Sequence, residues 1–134
     1  MLQTKEKDIE NSILQWLSYQ REGFYWKNNS VGIYDPKRKA FRLSKNPYFI
    51  RGVSDILGIY KGILCAFEVK TPAEYRHVMK HWERYRIGQI TNKGQRRLVN
   101  QVDFICRIRE KGGIAGFVCN IEMVKELFRE RIAT

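Results

Sequence analysis

With 134 residues, 43% of them hydrophobic, the chain is long enough for one domain with a core and too short for two. Its 25 Lys and Arg against 14 Asp and Glu leave a net charge of +11, a surplus that calls for a polyanionic partner, nucleic acid first and an anionic membrane second. No apolar run approaches the roughly 18 residues needed to cross a bilayer, the charged first residues do not read as the apolar segment of a signal peptide, and Cys65, Cys106 and Cys119 lack Cys-x-x-Cys spacing, which reads as the reduced thiols of a cytoplasmic protein.

Residues from about Lys5 to Gln20 follow the period of an amphipathic helix, with Ile9, Ile13, Leu14 and Leu17 on one face and Thr4 as N-cap. Glu6 falls near the centre of that apolar stripe and Glu10 at its edge; an acid there either complements the helix dipole or belongs to a site. Phe24–Ile33 reads as a strand entering a loop, and Asp35-Pro36 opens a turn. The basic stretch Asp35–Phe49 is expected to be irregular, either a solvated loop or one that contacts phosphate.

The stretch Arg51–Thr71 is the centre of the chain. Two apolar, β-branched and aromatic runs flank Lys61-Gly62, the pattern of a hairpin. With those two residues as the turn, Tyr60 faces Ile63, and further along the same ladder Asp55 faces Glu68. Opposed residues have Cβ atoms roughly 4.5–5.5 Å apart. Alternation puts Lys70 on the face of Glu68, with Leu57, Ile59, Leu64 and Ala66. Two carboxylates so placed repel each other unless a cation joins them, and hard oxygen donors suit Mg²⁺. A lysine beside them can orient or deprotonate a water. A surface hairpin with a Lys–carboxylate ion pair fits the same pattern.

Thr71-Pro72 ends the second strand. The segment from about 71 to 100 is long for a connection and basic, with Arg76, Lys80, Arg84, Arg86, Lys93, Arg96 and Arg97 interleaved with Tyr75, Trp82 and Tyr85. That mixture suits phosphate contact with base stacking, although the aromatic residues serve equally well as core. Glu74–Arg86 is expected to be helical, and His77 and His81 stand at metal-pair spacing without a further ligand nearby. Gln101–Lys111 reads as a helix stopped by Gly112-Gly113. Ile114–Cys119 is a short buried strand, and Asn120 caps a last helix over Ile121–Arg131.

In order and spacing these motifs resemble the VRR-NUC nucleases of the PD-(D/E)xK superfamily, particularly the small stand-alone phage and prophage members. The similarity begins with Glu6-x-x-Ile9 and Ile13-Leu14-x-x-Leu17. It continues through Trp26-Lys27-Asn28-Asn29, Gly52-Val-Ser-Asp55-Ile-Leu-Gly58 and Phe67-Glu68-Val69-Lys70. It ends with Gln101-x-x-Phe104-x-x-x-Ile108 and Gly112-Gly113-Ile-Ala. The resemblance implies that Asp55, Glu68 and the Val69 carbonyl hold Mg²⁺ or Mn²⁺ and that Lys70 is the catalytic lysine. Glu6 would be the first-helix acid and an outer ligand, and Gln101 the glutamine opening the helix after the core. Ser54 stands where the family usually has proline, and the 71–100 segment is longer than in compact members.

The expectation is therefore an α/β fold with a restriction-endonuclease-like αβββαβ core, a mixed sheet flanked by helices, in one domain over residues 1–134. The expected activity is metal-dependent endonucleolytic hydrolysis of DNA, on branched substrates such as Holliday junctions, by a homodimer in the cytoplasm of a bacterium or phage-infected host. Arg76, Lys80, Arg84, Arg86, Arg96 and Arg97 are the expected DNA contacts. The alternatives are a sequence-specific restriction, homing-type or nicking enzyme on the same fold, and a non-catalytic DNA-binding module.

Overall fold

A computed structural model of the chain describes residues 5–29, 33–42 and 45–133. The fold is mixed α/β. A four-stranded sheet runs in the order β1-β4-β5-β6, built from β1 (Gly23–Lys27), β4 (Ile56–Tyr60), β5 (Ile63–Val69) and β6 (Ile114–Val118). The first three strands are antiparallel and β6 is parallel to β5. A separate hairpin, β2 (Ile33–Asp35) with β3 (Ala40–Arg42), stands between β1 and β4 in the chain. No helix among the described residues is long and apolar enough to cross a membrane.

The β4–β5 register is the one that a Lys61-Gly62 turn dictates, with Tyr60 opposite Ile63 and Ile56 opposite Phe67. Both turn residues have positive φ, +48° for Lys61 and +81° for Gly62. That is the requirement of a two-residue turn whose twist matches its strands.

Alternation along β5 then divides the core into two layers. Cys65, Phe67 and Val69 pack with Ile9, Ile13 and Leu17 of α1 (Glu6–Ser18) and Val124 of α5 (Ile121–Ala133). Phe128 of α5 adds edge-to-face contacts with Tyr25, Tyr60 and Phe67. On the other face Ala66, with Ala115 and Phe117 of β6, meets Val78 of α2 (Pro72–Lys80), Tyr85 of α3 (Trp82–Arg86) and Val102 and Ile105 of α4 (Arg96–Glu110). Each large side chain buried this way contributes about 1.5–3 kcal/mol.

Several boundaries differ from the sequence reading. Thr4 lies outside the described residues, and the N-cap position of α1 is Lys5, without a side-chain cap bond. The stretch Asp35–Phe49, expected to be irregular, holds the end of β2, the turn and β3 of a hairpin; residues 30–32 and 43–44 around that hairpin lie outside the described residues. The helix expected over Glu74–Arg86 is two helices broken at His81, whose φ of −109° and ψ of 19° leave the helical range. The helix expected from Gln101 starts at Arg96, because Leu98 and Val99 extend its apolar face onto Val102 and Ile105. Elsewhere the signals hold. Thr71 and Glu74 form a capping box with Pro72 at N1. Asn120 Oδ1 accepts from the Met123 amide at 2.9 Å. At the end of α4, Gly113 N–H donates to Ile108 O and Gly112 N–H to Arg109 O, a Schellman stop with Gly112 at φ +89°.

Candidate active site

The hairpin register brings the two acids together. Asp55 precedes β4 and Glu68 is the penultimate residue of β5, both on the face that α4 covers. The Asp55 amide donates to Glu68 Oε2 at 3.2 Å, and the Val69 amide donates to Asp55 Oδ2 at 2.8 Å. Each carboxylate is therefore held by the backbone of the opposite strand. Glu68 is only 1% exposed. Burial, reinforced by the Asp55 charge, pushes the Glu68 carboxyl well above the usual carboxylate range, while Lys70 and Arg97 oppose that shift. A buried acid kept against a second acid is a recurrent mark of functional sites.

Lys70 follows β5 directly and is nearly buried, its Nζ 5.9 Å from the centre of the Phe117 ring. Its amide is fixed by a 2.9 Å bond to Val118 O, so the end of the parallel β5–β6 pair sets where its side chain departs. Glu6 stands within electrostatic reach of the same group. Burial raises its pKa, Lys70 lowers it, and Asp55 and Glu74 raise it again. α1 packs on the opposite face of the sheet, so its N-terminal turn arrives at the site from the end of the strands.

A cleft of about 640 Å³ opens over the acids, walled by Lys27–Asn29, the loop 49–53 and the start of α4. Asp55, Glu68, Gln101 and Glu10 line it; Glu6 and Lys70 do not. Glu10, one helical turn after Glu6 and 7% exposed, has its Oε1 3.3 Å from Lys27 Nζ. The pattern that pointed to Glu6 also carried Glu10, at the edge of the same stripe; which acid enters the cleft depends on the docking of α1. Gln101 is 3% exposed, and its Oε1 has no hydrogen-bond partner among the described residues. Gly52 fixes the wall opposite. It has φ +78°, and a Cβ there would overlap the Asn100 carbonyl and lie 2.7 Å from the Gln101 nitrogen. Only glycine lets this loop close on α4.

The expected DNA contacts divide. Arg96 and Arg97 line the cleft, joined by Lys27 and Arg51. Arg76 and Lys80 are exposed on α2, the Arg84 guanidinium lies over the Tyr85 ring at 5.3 Å, and Arg86 is paired with Glu83 at 2.7 Å. None of these four lines the cleft. His77 Nε2 is 2.6 Å from the Tyr85 hydroxyl and its ring packs edge-on against His81.

Among the described residues no three His, Cys, Asp or Glu side chains gather as a complete metal cage. Asp55 and Glu68 offer two carboxylates beside a roomy cleft. That donor set suits an ion which keeps several waters and substrate oxygens in its shell, as Mg²⁺ does, better than zinc.

Compared with protein-family models, curated proteins and solved structures, the chain gives no significant match.

Proposed function

We propose that this protein is a Mg²⁺- or Mn²⁺-dependent endodeoxyribonuclease of the VRR-NUC type, with a restriction-endonuclease-like core. One observation carries the reading: Asp55 and the buried Glu68 are braced against each other under a cleft rimmed by Lys27, Arg51, Arg96 and Arg97. The element order supports it, since α1, β1, β4, β5, α4 and β6 come in the order αβββαβ once the small hairpin and the α2–α3 segment between β5 and α4 are set aside as insertions.

When bound, the divalent ion supplies Lewis acidity at the phosphodiester and lowers the pKa of the attacking water. The chain does the rest. Asp55 and Glu68 would hold the ion, and the resemblance adds the Val69 carbonyl. Lys70, within electrostatic reach of Glu68, would orient the water or stabilise charge building on the phosphate. Glu6 and Glu10 temper the positive field at the start of α1, and Gln101 turns a hydrogen-bonding end toward the substrate. The four cleft cations hold the backbone of the DNA.

Branched DNA is the proposed substrate, cut by a homodimer because two opposed strands must be broken by chains with one site each. The test is purified protein on four-way junction, flap, single-stranded and linear duplex DNA, with Mg²⁺ or Mn²⁺ and with chelator. Cleavage that needs the metal, favours the junction and disappears in Asp55→Ala is expected. Binding without cleavage under every metal condition, unaltered by Asp55→Ala, would return the protein to a non-catalytic binding module. Cleavage confined to a particular duplex sequence would identify a restriction or homing-type enzyme.

A further inference from the structure

The β2–β3 hairpin belongs to neither core layer. Among the described residues its strands pair with each other and with no other strand, in register Ile33 to Arg42, Tyr34 to Phe41 and Asp35 to Ala40. A two-stranded ribbon is marginal in water by itself. This one is braced by a cross-strand ring pair, Tyr34 on Phe41, with centroids 5.3 Å apart and edge-on geometry. Both rings nevertheless remain more than half exposed, at 52% and 63%.

The turn carries Lys37, Arg38 and Lys39 in succession, all exposed. Asp35 shapes it, accepting from the Lys37 amide at 3.0 Å and lying 3.9 Å from Arg38, and Lys39 completes it at φ +50°. One acid thus faces three cations. In the chain the ribbon lies between segments that line the cleft: Asn28 and Asn29 precede it, Phe49 and Ile50 follow it, and all four line the cleft with Asp55 and Glu68.

An exposed ribbon with an aromatic spine and a cationic tip marks an interaction surface for a polyanion. Flanking segments that line the cleft with the acid pair favour DNA over a lipid surface, and a two-stranded ribbon fits a major groove about 12 Å wide. We propose that the β2–β3 hairpin is an arm that grips duplex DNA next to the cleft. Lys37, Arg38 and Lys39 neutralise phosphates there, and the Tyr34–Phe41 pair keeps the ribbon straight as it lies in the groove. The proposal rests on the nuclease reading of the cleft.

The experiment is binding of the full chain to a labelled linear duplex in chelator over a series of salt concentrations. Wild type is compared with the combined variant Lys37→Gln, Arg38→Gln, Lys39→Asn, asparagine being chosen because it tolerates positive φ. A circular dichroism melt of the variant, matching wild type, establishes that the body is intact. Each phosphate contact contributes about 0.9 to the slope of log affinity against log salt. The variant is therefore expected to lose about two to three from that slope, and to bind roughly tenfold or more weakly at low salt. The same slope and affinity in both proteins would overturn the arm. So would a variant that keeps DNA binding and loses attachment to phosphatidylserine vesicles. If wild type cleaves DNA with metal while the slope is unchanged, the arm fails and the nuclease stands. If the slope falls but no metal supports cleavage, the arm stands and the nuclease fails. A wild type that binds no DNA removes both.

Discussion

Asp55 and Glu68 are cross-braced through the backbone: the amide of Asp55 reaches the Glu68 carboxylate at 3.2 Å, and the amide after Glu68 reaches the Asp55 carboxylate at 2.8 Å. The two acids are thus oriented by the same pair of strands that brings them together. Preorganised oxygen donors need little rearrangement to take an ion. Asp55→Asn keeps the shape of the brace and removes a charge, so its melting temperature should stay near that of wild type. Metal-dependent cleavage should fall about 100-fold or more. Lys70→Ala should cost roughly 10² to 10⁴ in rate with DNA affinity in chelator preserved, as read by single-turnover cleavage beside a binding titration.

Glu68 gives stability a pH dependence with a definite sign. Its carboxyl has a raised pKa in the folded chain, through burial and then the Asp55 charge, against an ordinary value of 4.5. Above that value the unfolded chain has released a proton that the folded chain still holds. Stability therefore declines as pH rises through the window, because the unfolded state binds fewer protons. Without divalent ions, the melting temperature of wild type should fall relative to Glu68→Gln from about pH 5 upward. Added Mg²⁺ should restore wild type and leave Glu68→Gln unmoved. Parallel curves for the two proteins would contradict the assignment.

Gly52 is the residue on which closure of the cleft wall depends. Alanine there would adopt φ +78° and push against the backbone at Asn100 and Gln101. Gly52→Ala should lose about 1–3 kcal/mol of stability in a urea titration. Cleavage should fall further than stability accounts for, because the loop carrying Arg51 shifts.

Ser54 makes the opposite prediction. It is fully buried, and its hydroxyl has no partner among the described residues. Burying an unpaired hydroxyl costs about 1–3 kcal/mol. Ser54→Ala should therefore leave stability unchanged or raise it by about 1 kcal/mol, with cleavage intact. A marked destabilisation on chemical denaturation would show that the hydroxyl has a role in the site.

The cations of the 71–100 segment should not contribute equally. Arg96 and Arg97 line the cleft, whereas Arg86 is already paired with Glu83 at 2.7 Å and Arg84 lies over Tyr85. Charge reversal at Arg96 and Arg97 should weaken DNA binding at low salt and flatten its salt dependence more than reversal at Arg84 and Arg86. Fluorescence anisotropy at several salt concentrations would rank the two pairs; equal losses would place the DNA across α3 as well.

What the amino-acid order determined by itself was local. The Lys61-Gly62 turn and the period of two fixed which residues of β4 and β5 share a face, and so paired Asp55 with Glu68 before any packing was known. The caps at Thr71 and Asn120 and the Gly112-Gly113 stop were legible for the same reason, since each depends on residues within one turn. Tertiary structure decided the rest. It chose Glu10 over Glu6 for the cleft wall through the docking of α1 on the sheet, and it joined Lys27, Arg51 and Arg97 from three separate stretches. It also extended α4 back to Arg96, because Leu98 and Val99 are packed into the second core layer, which Val78, Tyr85 and Phe117 build from other elements. A turn is closed by neighbours in the chain, but a cleft is closed by surfaces that meet only when the whole sheet is covered.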